Sequence, residues 1–174
     1  ALFNGFGGLS SYLLAWSELQ NLNSVNVITL IGALTIFIGG LTFSGSLIAF
    51  FKLSEYLKST PSFLNSLSKY LLIICLAYLG FFSSYILLQS FGISLSFQPN
   101  FELSFFIFLV VSVFAGLVFV LPIGGGDMPV VISLLNSLSG IAAALAGIVL
   151  SNTALIVAGC LVGASGLVLT LIMA

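Results

Sequence analysis

Residues 128–150 read MPVVISLLNSLSGIAAALAGIVL, and after Ser151 and Asn152 the chain continues TALIVAGCLVGASGLVLTLIMA at 153–174. Neither run carries a charge. Each is long enough, at about 1.5 Å of rise per residue, for an α-helix to cross ~30 Å of hydrocarbon. Their apolar character is continuous rather than alternating, which excludes a β-barrel. Similar runs recur upstream, so membrane-crossing helices are expected at 1–17, 25–51, 70–91, 101–123, 128–150 and 153–174. The fold class that follows is an all-α membrane protein, a single transmembrane domain built as a bundle of about six helices.

Composition leads to the same class. Of 174 residues, 60% are hydrophobic and 4% charged, and the mean hydropathy is +1.34; a soluble fold of this size needs far more charge on its surface. Glu18, Lys52, Glu55, Lys58, Lys69, Glu102 and Asp127 all fall between apolar runs or at their ends. Mid-bilayer charge costs a few kcal/mol or more, so this distribution suits a lipid solvent. With three basic residues and a net charge of -1, the chain has nothing to neutralise a row of phosphates, and nucleic acid is excluded as a partner. Cys75 and Cys160 lie inside separate apolar runs and read as small hydrophobes, with no disulfide or metal site between them. The chain opens at Ala1 without Met and closes on an apolar run, so it reads as a piece of a longer polypeptide.

Turns are expected at Asn21 to Asn26, Ser59 to Ser66, Gln98-Pro99-Asn100, Gly124 to Asp127 and Ser151-Asn152. The last two are short, which makes helices four, five and six antiparallel neighbours. All three lysines fall in the connection between helices two and three, so the positive-inside rule puts that loop, the glycine turn and the C-terminus in the cytoplasm or mitochondrial matrix.

Small and polar residues mark a core. Helix two carries Gly32, Thr35, Gly39, Thr42, Ser46 and Ala49 at steps of three or four, and helix five carries Ser133, Asn136, Gly140, Ala143 or Ala144, and Gly147. Helix one offers Asn4, Gly8, Ser11 and Ala15; helix six offers Gly159, Gly163, Gly166 and Thr170. Helices three and four carry Phe81, Phe82, Phe105, Phe106, Phe108 and Phe114 instead. Helices one, two, five and six are thus expected to pack together, with three and four facing lipid. The glycines in these stripes serve close helix packing. Asn4, Ser46 and Asn136 need polar partners, and either interhelical hydrogen bonding or a water or ion path supplies them. Asn does not titrate near neutral pH, so it can order water without relaying a proton itself. Asp127, ahead of Met128-Pro129, suits a helix N-cap whose carboxylate accepts from first-turn amides, and equally a contact with a partner domain. Gly124, Gly125 and Gly126 follow a membrane helix rather than a strand and form no nucleotide-binding fingerprint.

The stretch from Leu121 to Ser133, with Leu135-Asn136-Ser137 and Ser139-Gly140, closely resembles the membrane domain of the β, NADP-side subunit of proton-translocating NAD(P) transhydrogenase. So do Leu150-Ser151-Asn152, Leu155-Ile156-Val157, the run Leu161 to Gly166, and the run Thr42 to Phe50. The likeness covers helices one, two, five and six and is weak across three and four. It implies a Re/Si-specific enzyme that moves hydride between NADH and NADP⁺ while a proton crosses the membrane. NAD(H) and NADP(H) would sit on separate soluble domains, and no cofactor or redox site on this chain. It also implies an α subunit that brings further membrane helices and the NAD(H) domain, a homodimeric complex, and missing segments: helices upstream and an NADP(H)-binding domain after Ala174. The expected location is a bacterial inner membrane, the mitochondrial inner membrane being less favoured. Asn136 and Ser46 match positions on the family's proton path. Asp127, with Gly124, Gly125 and Gly126, matches the cytoplasmic gate facing the NADP(H) domain. Gly39, Gly140, Gly159, Gly163 and Gly166 would serve helix packing. Asn4 falls where many members have histidine; with no His in the chain, the titrating group is expected from the partner subunit. Two other classes stay open: a small-solute or ion transporter, and a passive membrane anchor.

Overall fold

The computed structural model describes residues 1–20, 27–57, 62–91 and 101–174. The turns expected at 21–26 and 98–100, residues 59–61 of a third, and Lys58 lie outside the described residues, as do the side chains of Glu102 and Phe105. The elements are α1 (Leu2–Gln20), α2 (Val27–Leu53), α3 (Ser62–Ser90), α4 (Phe101–Val120), α5 (Met128–Val149) and α6 (Thr153–Met173), with a short 3₁₀ turn at Gly125–Asp127. Val27–Leu53, Ser68–Gln89, Gly125–Val149 and Thr153–Met173 are long and apolar enough to cross a bilayer. Among the described residues of α4, Phe106–Val120 form a shorter apolar helix. The protein is an all-α, multi-pass membrane protein.

Its centre is α2, flanked by α1, α4 and α5, while α6 packs chiefly on α5 and α3 chiefly on α4. Close approach is set by small residues. A Cβ at Gly39 would stand 2.6 Å from the Gly8 carbonyl of α1, and one at Gly140 would stand 2.4 Å from the Gly163 nitrogen of α6. No real Cβ tolerates such distances, so these helices meet backbone to backbone. Gly159 and Gly166 sit on the same α5–α6 seam, against Ala144 and Ser137 respectively.

Three expectations change here. Helix four does not belong to a lipid-facing belt: a Cβ at Gly116 would strike the Leu41 carbonyl and Ser44 of α2, and a Cβ at Gly40 would strike Ser112. Phe82 and Phe108 are buried with ring centroids 4.9 Å apart, in a cluster with Ile36, Leu79, Ile86 and Leu109. Phe81, Phe106 and Phe114 do point outward. The aromatic content hid a small-residue stripe, Ser112, Ala115 and Gly116, that lets α4 approach α2. Second, among the described residues α4 and α5 pack on each other only near their shared turn, where Val120 clusters with Met128, Val131 and Leu135. They diverge from their short turn along different sides of α2, with Val120 and Leu135 meeting over Gly45. Third, Lys52 is not a loop lysine; it lies in the last turn of α2 and is buried. The α5–α6 connection is a tight hairpin in which Ser151 adopts φ 53 and Asn152 caps α6 by accepting from the Leu155 amide at 3.1 Å.

Candidate functional site: a polar seam and the glycine turn

The polar groups of the bundle fall into three sets. In the first, hydroxyls bond back to their own helix. Ser11 donates to the Gly7 carbonyl, Thr35 to Ile31, Thr42 to Ile38 and Ser44 to Gly40. A Ser or Thr that bonds a carbonyl one turn earlier is satisfied without a partner helix. These residues permit close packing and need no water.

The second set links α5 to α6. Ser137 donates to the Gly163 carbonyl at 2.7 Å, Ser133 to Gly166 at 3.3 Å, and Thr170 to the Ser133 Oγ at 3.1 Å. This ladder joins the glycine contacts along one stripe of α5, on which Ser133, Ser137, Gly140, Ala144 and Gly147 are buried. Asn136 is not on it. It falls instead on the adjacent stripe with Ile132 and Ser139, which faces α1.

The third set is that second face. The Asn4 Nδ2 donates to the Ile132 carbonyl at 3.1 Å, tying α1 to α5. That carbonyl is also the helical acceptor for the Asn136 backbone N–H, so the Asn4 bond falls one turn before Asn136 along α5. The Asn136 side chain is half-buried and bonds to none of the described residues. Across the seam, the Ser46 hydroxyl of α2 stands beside Gly5, and its Oγ is the buried side-chain polar atom without a hydrogen-bond partner among the described residues. Ser46 is fully buried. An unpaired buried hydroxyl costs about 1–3 kcal/mol, so a water or another polar group belongs there. Asn4 thus sits at the α1–α5 contact, and Ser46 of α2 lies beside Gly5, the next residue of α1.

At one end of the bundle lies the turn from 121 to 127. Pro122 ends α4, and Gly124 is extended, with φ -68 and ψ 157, before the 3₁₀ turn. Asp127 holds the N-cap position of α5, but its carboxylate makes no capping bond, contrary to the cap geometry expected for it; it is exposed beside Gly124, Gly125 and Gly126. A Cβ on any of the three glycines would meet nothing within 4 Å, and none has the positive φ that favours glycine. The bundle itself therefore does not require glycine at these positions.

Beneath this turn sits a residue that the sequence had placed in a loop. The Lys52 Nζ donates to the carbonyl of Leu121, to that of Ile123 at 2.6 Å and to that of Val120 at 3.5 Å. A lysine late in an apolar helix, seven residues after Gly45 and three after Ala49 on the face that packs on α4 and α5, was the available signal.

An all-α membrane bundle with a polar seam between its central helices, ending at an open glycine turn, is the class of protein defined here. The family model described as NAD(P) transhydrogenase beta subunit matches residues 1–174, and the chain belongs to that family. Two curated relatives, both named NAD(P) transhydrogenase subunit beta and both from Rhodospirillum rubrum, are each 51% identical over 70 residues. That aligned stretch is 40% of this chain and 15% of each relative, so the chain spans a small part of their length.

Proposed function

We propose that this chain is the proton-conducting membrane part of a proton-translocating, Re/Si-specific NAD(P) transhydrogenase. Hydride passes between NADH and NADP⁺ on soluble domains, and the bundle couples that transfer to proton movement. The observation that carries the proposal is the polar contact of α1 with its neighbours, where Asn4 bonds to α5 and the buried Ser46 hydroxyl of α2, beside Gly5, bonds to none of the described residues. Such a set orders water but does not titrate, so the proton-binding group, a histidine, comes from the α subunit. Asp127 and the three glycines form the gate toward the NADP(H) domain; their openness fits a surface that another domain approaches closely. The complex is a homodimer in a bacterial inner membrane.

A small-solute transporter has less support. A groove of about 390 Å³ between α1 and α4 is lined by Tyr12, Trp16, Phe106, Leu109 and Phe114, side chains suited to lipid or another helix rather than to a polar solute. The test is proton uptake into vesicles holding the intact complex, driven by NADPH and an oxidised NAD analogue. Asn4→Ala, Asn136→Ala and Asp127→Asn should each slow coupled transfer about tenfold or more while hydride exchange on the soluble domains persists. Normal pumping in all three would refute the assignment.

A further inference from the structure

We propose that Lys52 is a positioning residue that holds the α4–α5 turn against α2, so that the glycine gate and the Ser46 seam move as one body. Its three ammonium hydrogens face three carbonyls, those of Val120, Leu121 and Ile123. These oxygens point toward Lys52 because Pro122 ends the α4 ladder and the backbone then turns, the Val120 carbonyl accepting from the Ile123 amide as well. Lysine offers three donors and no acceptor, so the match is complete. No carboxylate joins it: its partners among the described residues are these carbonyls, and Asp127 forms no ion pair with it. The cation also sits at the C-terminal end of α4, where the helix dipole favours positive charge.

What makes this more than local stability is the route along α2. Gly45, Ala49 and Lys52 share one face; Gly45 touches Val120 and Leu135, and Ala49 is buried with Val120, Met128, Val131 and Leu135. Ser46 lies on the same helix, one turn from Ala49. A shift of the turn, as when a nucleotide domain docks on Gly124 to Asp127, would therefore reach the seam through Lys52 and α2. Lys52 adds directional bonds to a turn that also rests on apolar contacts, such as those of Val120 and Met128 with Ala49, which are non-directional and do not fix its height.

This inference rests on the function proposed above, and its test keeps the two apart. Amide hydrogen exchange is measured on the intact complex across the amides of Leu121, Ile123 and Asp127, which bond to Leu117, Val120 and Gly124. The same preparations are assayed for protons taken up per hydride transferred. Lys52→Met should speed exchange at this turn about tenfold and lower the proton-to-hydride ratio, and Lys52→Arg, which keeps the charge on a different donor geometry, should restore much of both. Unchanged exchange in Lys52→Met would overturn the clamp. Faster exchange with an unchanged ratio would overturn its part in coupling. If Lys52→Met does not assemble, Lys52→Gln, which shortens and neutralises the side chain but keeps amide donors, takes its place in both measurements, and unchanged exchange there would equally overturn the clamp. Wild-type vesicles that transfer hydride without proton uptake would sink the proposed function before any variant is made.

Discussion

At Ser46 the local bookkeeping of polar groups parts from that of its neighbours. Thr35, Thr42 and Ser44 each close a bond to their own helix, whereas the equally buried Ser46 does not. Truncating a hydroxyl that bonds none of the described residues costs no bond within the bundle, so Ser46→Ala should leave thermal stability unchanged or raise it by up to about 1 kcal/mol. The same change should slow proton-coupled transfer in vesicles. A loss of stability would mean that the hydroxyl has a structural partner. The glycine turn allows a parallel comparison. Gly125 has open space around it and ordinary backbone angles, so Gly125→Ala should shift stability by less than ~0.5 kcal/mol. Its effect should fall on coupled activity, by crowding the surface an incoming domain meets; a thermal melt and an activity assay on one preparation would separate the two.

Between elements, the packing of α4 carries the main difference between expectation and structure. Six phenylalanines on helices three and four suggested a lipid-facing pair, because bulky aromatics without small neighbours pack poorly in a tight bundle. Phe108 nonetheless sits at 2% exposure in the interior, while Phe114, two turns on, is 43% exposed. Phe108→Ala should therefore destabilise the bundle by about 3 kcal/mol or more, and Phe114→Ala by less than ~1 kcal/mol, in denaturant titrations in detergent. Equal costs would contradict the placement of α4 along α2. On the α5–α6 pair, glycines at steps of three and four were legible as a packing face from spacing alone. The serine ladder was not, since Ser133 and Ser137 bond to carbonyls of a helix whose rotation no periodicity specifies.

For the molecule as a whole, Lys52 and the 121–127 turn share one end of the bundle. Ala1 is packed against the Ala49–Met128 cluster there, and Thr170, near the C-terminus, pairs with Ser133 in the second turn of α5. Ser151 and Asn152 lie at the other end. If positive residues mark the cytoplasmic side, a cysteine at position 126 should react with an impermeant maleimide only from that side, and one at 152 only from the opposite side. The background for this experiment lacks Cys75 and Cys160. Reversed labelling would reject the orientation. The sequence by itself determined the membrane class and the number of helices, because a hydrocarbon solvent acts on every residue in turn and writes its demands as unbroken apolar length; it set the start of helix three at 70, whereas α3 begins at Ser62. Only the tertiary structure decided which polar groups are satisfied, that α2 rather than α5 is the hub, and that Lys52 is bound inside. Those outcomes depend on how each helix is rotated and which carbonyls it meets, and such meetings join residues about seventy positions apart along the chain.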